Sequence, residues 1–283
     1  MIHVRLAGGL GNQLFQLAAA ALVDPTGQAC IIPHAAALGR YSAARQPDSL
    51  RLLSGSFGSP KSDSPWQKAW NWLIESGRAG RWLMGIGIGD LASIQNLSFG
   101  SRCNVAILDG YFQKGWTDAR MADAIARLCP LKPLAHASSR VEIDECVVHI
   151  RGGDFLKLPA YQVATDLYYR SAIQKAKKTG YNRFAVITDD QEYAKRFLEK
   201  LSEELSEGMV RIVDSSADAL SDFDALRAAS ARIISNSTFA WWAAALDLKK
   251  SHTWSPTQFT RDEIRDYFLP WEIPIASAGL LNS

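Results

Sequence analysis

Cysteine is scarce in this chain of 283 residues. Cys30, Cys103, Cys129 and Cys146 stand far apart, and no two form a C-x-x-C pair. That argues against a disulfide framework or a paired-cysteine zinc site and suits buried, reduced thiols. An excess of charge of one sign is missing too, since 31 Lys and Arg against 29 Asp and Glu leave a formal net charge of +2. Nucleic acid is therefore not an expected partner. No apolar run approaches the roughly 20 residues of a membrane span. The nearest, Leu14 to Val23, follows Arg5 and has the look of a signal-peptide core. But Gln16 interrupts it, Asn12-Gln13 precede it, and Asp24-Pro25 replace the small residues of a cleavage site. The expectation is a folded helix, no transmembrane segment and a cytoplasmic location.

The composition is that of a globular protein, 47% hydrophobic and 21% charged, and the length suffices for two domains. Ile2, Val4 and Leu6 alternate with His3 and Arg5 as in a strand; a glycine loop, Gly8-Gly9-Leu10-Gly11, then leads into a helix over 14–22. An apolar run at 29–32 is stopped by Pro33. Trp66, Trp70, Leu73 and Ile74 fall on one face of a core helix, and a strand at 105–108 runs into Asp109-Gly110-Tyr111-Phe112-Gln113. Pro130 and Pro133 open a polar stretch from Cys129 to Glu145 that reads as a linker. Beyond it, strands expected at 146–150, 183–187, 210–213, 232–235 and near 253–254 alternate with helices at 166–178, up to about 206, at 217–231 and from 238. Such alternation implies a doubly wound parallel sheet. Two Rossmann-like α/β domains facing a cleft, 1–135 and 136–283, are the simplest architecture.

Ligands of open parallel sheets collect beyond the carboxyl ends of the strands, where the informative residues cluster. Arg151 follows a strand, with His149 two residues earlier on the same face, and its planar fork of donors suits a phosphate. Ser237 and Thr238 open a helix whose free N–H groups favour an anion. Singly these are also an ordinary cap and a salt-bridging arginine; together they read better as a diphosphate site. The loop from Gly9 to Leu14 has only the first two glycines of G-x-G-x-x-G, with Leu14 in place of the third, which weakens nicotinamide dinucleotide binding. Gly11 still lets the backbone approach a ligand, and Asn12 and Gln13 offer neutral donors and acceptors. Thr188-Asp189-Asp190 lacks D-x-D spacing, so no metal site is expected; Asp190 reads most simply as an N-cap.

The segment from Gly8 to Gln16, then Gly110-Tyr111-Phe112-Gln113, His149-Ile150-Arg151-x-Gly153-Asp154, Thr188-Asp189-Asp190 and Asn236 to Trp242 resemble, in order, the signatures of the α-1,2-fucosyltransferases of glycosyltransferase family 11. The resemblance implies a GT-B fold, GDP-β-L-fucose as donor, a galactose-containing acceptor, inversion at the anomeric carbon, and neither metal nor other cofactor. It implies that Arg151 binds the β-phosphate, that Ser237 and Thr238, with Asn236, form the phosphate loop, and that Gly11, Asn12, Gln13 and Asp190 stand on the donor side. Asp222, fifteen residues before Ser237, matches by spacing a carboxylate that reads guanine. One departure is Gly152, where the family usually has a second arginine; backbone amides freed by Gly152, or Lys157, are the alternatives.

The implied reaction is an in-line displacement in which charge grows on the leaving β-phosphate. Asp154, His149 and the β-phosphate itself are the candidate bases. Tyr111, Phe112 and Trp116 are candidates to stack on the acceptor sugar, or else core residues. A GDP-sugar-binding module that never transfers is the rival reading.

Overall fold

The protein, described from a computed structural model, is defined at residues 2–23, 31–34, 49, 52–53, 84–95, 105–128, 140–206, 208–214 and 219–277. The expected helix carrying Trp66 and Trp70, Cys30, Cys103 and Cys129, and most of the expected linker lie outside them. The chain divides into two compact units, Met1–Lys132 and Pro133–Ser283.

In the first unit β1 (Ile2–Arg5), β2 (Ile31–His34), β3 (Met84–Gly89) and β4 (Val105–Gly110) form a parallel sheet in the order β2-β1-β4-β3. Alternation along β1 suggested one wet face, yet His3 is as buried as Ile2 and Val4. A parallel sheet is covered on both sides, so its strands lose the simple alternation. Strand β2 runs through Pro33 rather than stopping before it, because β2 lies at the sheet edge, where a missing N–H is tolerated. Strand β3, Met-Gly-Ile-Gly-Ile-Gly, was not expected at all.

Helix α1 (Leu10–Val23) starts four residues earlier than expected and is buried almost throughout, so this apolar run is a core helix. Helices α2 (Ala92–Gln95) and α3 (Asp118–Leu128) complete the described part of this unit.

The second unit holds six parallel strands: β5 (Glu145–Ile150), β6 (Arg183–Thr188), β7 (Val210–Ile212), β8 (Ala231–Ile233), β9 (His252–Pro256) and β12 (Glu272–Ile275). A small antiparallel hairpin, β10 (Gln258–Thr260) with β11 (Glu263–Ile264), lies between the last two in sequence. The sheet order is β12-β9-β8-β5-β6-β7. Counted within the unit this is 6-5-4-1-2-3, the doubly wound arrangement of dinucleotide-binding sheets.

Helix α4 (Asp166–Lys178) occupies the expected range, its Thr165 cap accepting from the N–H of Tyr168. Its buried face, Tyr168, Tyr169, Ala172, Ile173 and Ala176, packs with Cys146, Val148, Ile150, Phe184 and Val186 in the core. Helix α5 (Gln191–Glu199) ends well before Ser206. Turns carry the chain on from there, and the buried Leu201 and Leu205 mimic helical spacing. Helices α6 (Ala219–Ala228) and α7 (Thr238–Ala245) flank β8 and pack on each other.

Candidate functional site

Strands β5 and β8 are neighbours at the point where strand order reverses, so the chain leaves their carboxyl ends in opposite directions and opens a crevice. The β5 exit carries Arg151, Gly152 and Gly153; the β8 exit carries Ile234 to Ser237. One hydrogen bond joins them, His149 Nδ1 to Ser235 Oγ at 2.9 Å, and Ser235 Oγ also accepts from the N–H of Ser237. Tyrosines of α4 secure the surrounding backbone: Tyr169 donates to the carbonyl of His149, and Tyr168 to those of Ile234 and Trp254. Burial, helped by the charge of Arg151, pushes His149 down to about 3. A ring that stays neutral and enclosed acts as a strut between the two loops.

Arg151 lies at the mouth of this crevice, its Nη1 2.9 Å from Asp189 Oδ2 and its Nη2 2.6 Å from Asp154 Oδ1. The guanidinium stacks on the ring of Phe155, 5.2 Å from its centroid, while Nε is buried without a hydrogen-bond partner. Asp189 is itself held, its Oδ1 accepting from the N–H of Gly152 at 2.8 Å. Gly153 has φ +50°, and a Cβ there would lie 2.6 Å from Asp189 Oδ2. Asp154 belongs to the one-turn segment Gly153–Lys157 and is mostly exposed.

Gly152 has a spatial explanation. A Cβ on it would lie 2.7 Å from Asp190 Cβ and 3.1 Å from Tyr193 Cδ1, so no arginine fits without displacing the start of α5. Its amide is engaged by Asp189, so it is not free for a diphosphate, and Lys157 is exposed. Asp190 caps α5, accepting from the N–H of Tyr193 at 2.9 Å, the N-cap role its sequence position suggested. Asn236 ties two loops together. Its amide donates to the carbonyls of Tyr161 and Phe259, pinning the turn Pro159–Tyr161 to β10. Ser237 is the N-cap of α7 but makes no side-chain capping bond, and Thr238 is the first helical residue.

Asp222, in the first turn of α6, is bound by Arg140 Nη1 at 2.5 Å. Its neighbour Phe223 packs edge-on against Phe239 of α7, which in turn meets the ring of His149. The start of α6 is thereby connected to the crevice.

In the first unit the polar residues of the glycine segment knit loops together. Gln16 accepts from the N–H of Ala7 and donates to the carbonyl of Gly110, joining the exits of β1 and β4. Asn12 accepts from Gln113. Gln13 is buried, donating to the carbonyl of Gly8 and accepting from Ser49, and Gly11 is buried within α1, so both serve the framework of this unit. Phe112 is fully enclosed and Trp116 nearly so, the indole donating to the carbonyl of Phe112, so these two take their alternative role as core residues. Tyr111 is about half exposed, at 49%.

Sequence reasoning missed Ser235, Asp189, Arg140, Tyr168 and Tyr169. Only Asp189 carried a signal, as the first carboxylate after β6. Among the described residues no group of His, Cys, Asp and Glu is placed to hold a metal ion, and no helix is long and apolar enough to cross a membrane.

Doubly wound α/β sheets collect their ligands at such a reversal of strand order, and here it carries an arginine and a helix N-terminus. A family model described as Glycosyl transferase family 11 matches residues 127–271, just over half of the chain, and the chain belongs to that family. An Escherichia coli protein named Alpha-1,2-colitosyltransferase is 29% identical over 127 residues, covering 42% of this chain and 43% of that protein. The chain thus aligns with less than half the length of this curated relative.

Among solved structures, Arabidopsis thaliana FUT1 in complex with GDP superposes with a TM-score of 0.52 at 13% identity, over 90% of this chain and 69% of that one. The E. coli ADP-heptose LPS heptosyltransferase II gives 0.50 at 13% identity, over 97% and 89%. The fold is of the GT-B type, with two Rossmann-like α/β units.

Proposed function

We propose that this family 11 glycosyltransferase moves L-fucose from GDP-β-L-fucose to the 2-hydroxyl of a terminal galactose, with inversion and without a metal or other cofactor. The observation that carries the reading is the pairing at the strand-order reversal of Arg151 with the N-terminus of α7, joined by His149 and Ser235. In this reading the second unit binds the donor and the first faces the acceptor. Arg151 and the amides at Ser237 and Thr238 take the charge that grows on the β-phosphate, a role in which preorganised donors favour the transition state over the ground state. Asp222 accepts from the guanine N1–H and amino group, Tyr111 remains to stack on the acceptor, and Asp154, once the phosphate has displaced it from Arg151, takes the proton of the attacking hydroxyl. The enzyme works in the cytoplasm.

The test is incubation with GDP-fucose and a galactoside. Release of GDP together with a fucosylated product, undiminished by excess EDTA, supports the reading. GDP-fucose binding without transfer would leave a binding module, and loss of activity in EDTA restored by Mn²⁺ would overturn the metal-free mechanism.

A second reading, transfer of colitose, is favoured by the E. coli relative's name. Colitose is fucose without its 3-hydroxyl. A site that hydrogen-bonds that hydroxyl rejects the deoxy sugar by about 10⁴-fold or more, whereas an apolar pocket does not. The ratio of kcat/KM for the two donors therefore decides between them.

A further inference from the structure

Arg151 is held by two carboxylates of unequal permanence. Asp189 is partly exposed, its side chain at 29%, but both its oxygens are in use, one on Gly152 N–H and the other on Arg151 Nη1. The absence of a side chain on Gly153 lets that second oxygen sit against the turn. Asp154 is 55% exposed and sits on a one-turn segment. Displacing it sends a charge into water, at small cost; displacing Asp189 breaks the β5 exit. The geometry points to Asp189 as the positioning residue that aims the Arg151 guanidinium, with Asp154 as an exchangeable counter-ion standing where a phosphate oxygen goes. This rests on the reading of Arg151 as the partner of a nucleoside diphosphate.

The two carboxylates then have opposite effects on the same ligand, which a simple charge argument does not give. If each merely competed with phosphate, neutralising either would tighten binding. If Asp189 aims the arginine, its loss costs affinity despite the removal of a negative charge. Asp189→Asn retains an oxygen to accept from Gly152 N–H, so the loop keeps its tie while the charge that aligns Nη1 is gone.

The experiment measures GDP and GMP binding by calorimetry on the full chain. Asp189→Asn is expected to weaken GDP by about tenfold or more, as misalignment of a positioned group does, and to leave GMP nearly unchanged. Asp154→Asn is expected to tighten GDP by about two- to fivefold, the size of an exposed ion pair. In a double-variant cycle, Asp189→Asn adds little to Arg151→Gln, because its effect runs through that arginine. Asp189→Asn that binds GDP as well as wild type or better, or that weakens GDP and GMP alike, or whose loss persists in full beside Arg151→Gln, would overturn the inference; the last two mark a misfolded site. Wild type that binds no GDP would overturn the functional reading and this inference with it.

Discussion

Replacing Arg151 by lysine keeps one positive charge and removes a fork. In the free protein that fork spans two carboxylates at 2.9 and 2.6 Å and lies on Phe155, a geometry a single ammonium cannot reproduce. Losing one of two hydrogen bonds to a charged group costs about 1.5–3 kcal/mol, or roughly 10- to 150-fold in an equilibrium or rate constant. Because charge on the β-phosphate is greatest in the transition state, the loss falls on kcat/KM, which should drop by about 10²-fold or more. Stability should barely move, since Asp154 is mostly exposed and the pairs of a partly solvated arginine contribute at most about 1 kcal/mol. The assay is steady-state GDP release with the donor varied at saturating acceptor, beside a thermal melt of the same preparation. A loss of tenfold or less with an unchanged melt would make Arg151 an ordinary ion-pair residue and move the search to Lys157. A large loss accompanied by early melting would mean that the ion pairs serve the fold.

Three further outcomes are expected. Burial lowers His149 from 6.5 to about 3, so the unfolded chain binds a proton there that the native protein refuses. Its contribution is complete above pH 6.5 and fades as pH falls towards 3, and urea unfolding of His149→Gln should show a gap from wild type that narrows between pH 7 and 4.5; parallel curves would refute it. Asp222→Asn should weaken GDP binding by about tenfold or more and relax the preference for guanine over adenine, since a hydrogen bond to a charged group is lost; calorimetry showing unchanged affinity removes Asp222 from the site. Asp247→Asn strands the fully buried Arg232, whose remaining contacts are carbonyls and a hydroxyl. Unfolding should become easier by about 3–5 kcal/mol, and a loss below about 1 kcal/mol would refute the pairing.

The second unit was the more legible in the sequence because its elements report their own periods. The amphipathic face of α4 and the short apolar strands β5 and β6 each precede a polar loop, and a parallel α/β sheet places those loops at one end. What stayed hidden depends on contacts far apart in the chain. Arg232 is a charged residue in the middle of a buried strand, legible only once Asp247 is seen beside it. Ser235, one serine among many, matters because His149 lies across the strand boundary, 86 residues away.

The glycine segment misled for a different reason. Asn12 and Gln13 look like ligand donors, yet Gln13 spends its amide on Gly8 and Ser49 and Asn12 accepts from Gln113, while Gln16 bridges Ala7 and Gly110. Buried polar side chains must find partners, and here the loops themselves supply them. The motif thus records how this unit's framework closes.

On the proposed function, Gly152 leaves the crevice a single arginine with which to meet a diphosphate. Around Arg151 one positive charge faces two carboxylates, so among the described residues these three groups carry no surplus of positive charge. A second arginine would supply one, but Asp190 and Tyr193 fill the space it needs. Two adjustments remain to a chain built this way. Asp154 can swing into water, where a unit charge 4 Å away costs only about 1 kcal/mol in interaction, and its departure turns the local balance neutral. The α7 N-terminus then contributes roughly half a unit of positive charge from amides that need no counter-ion. In this account the helix terminus carries a share of the phosphate that a side chain carries elsewhere in the family. Moving Ser237 and Thr238 out of register with Arg151 should therefore be more damaging here than in a two-arginine relative.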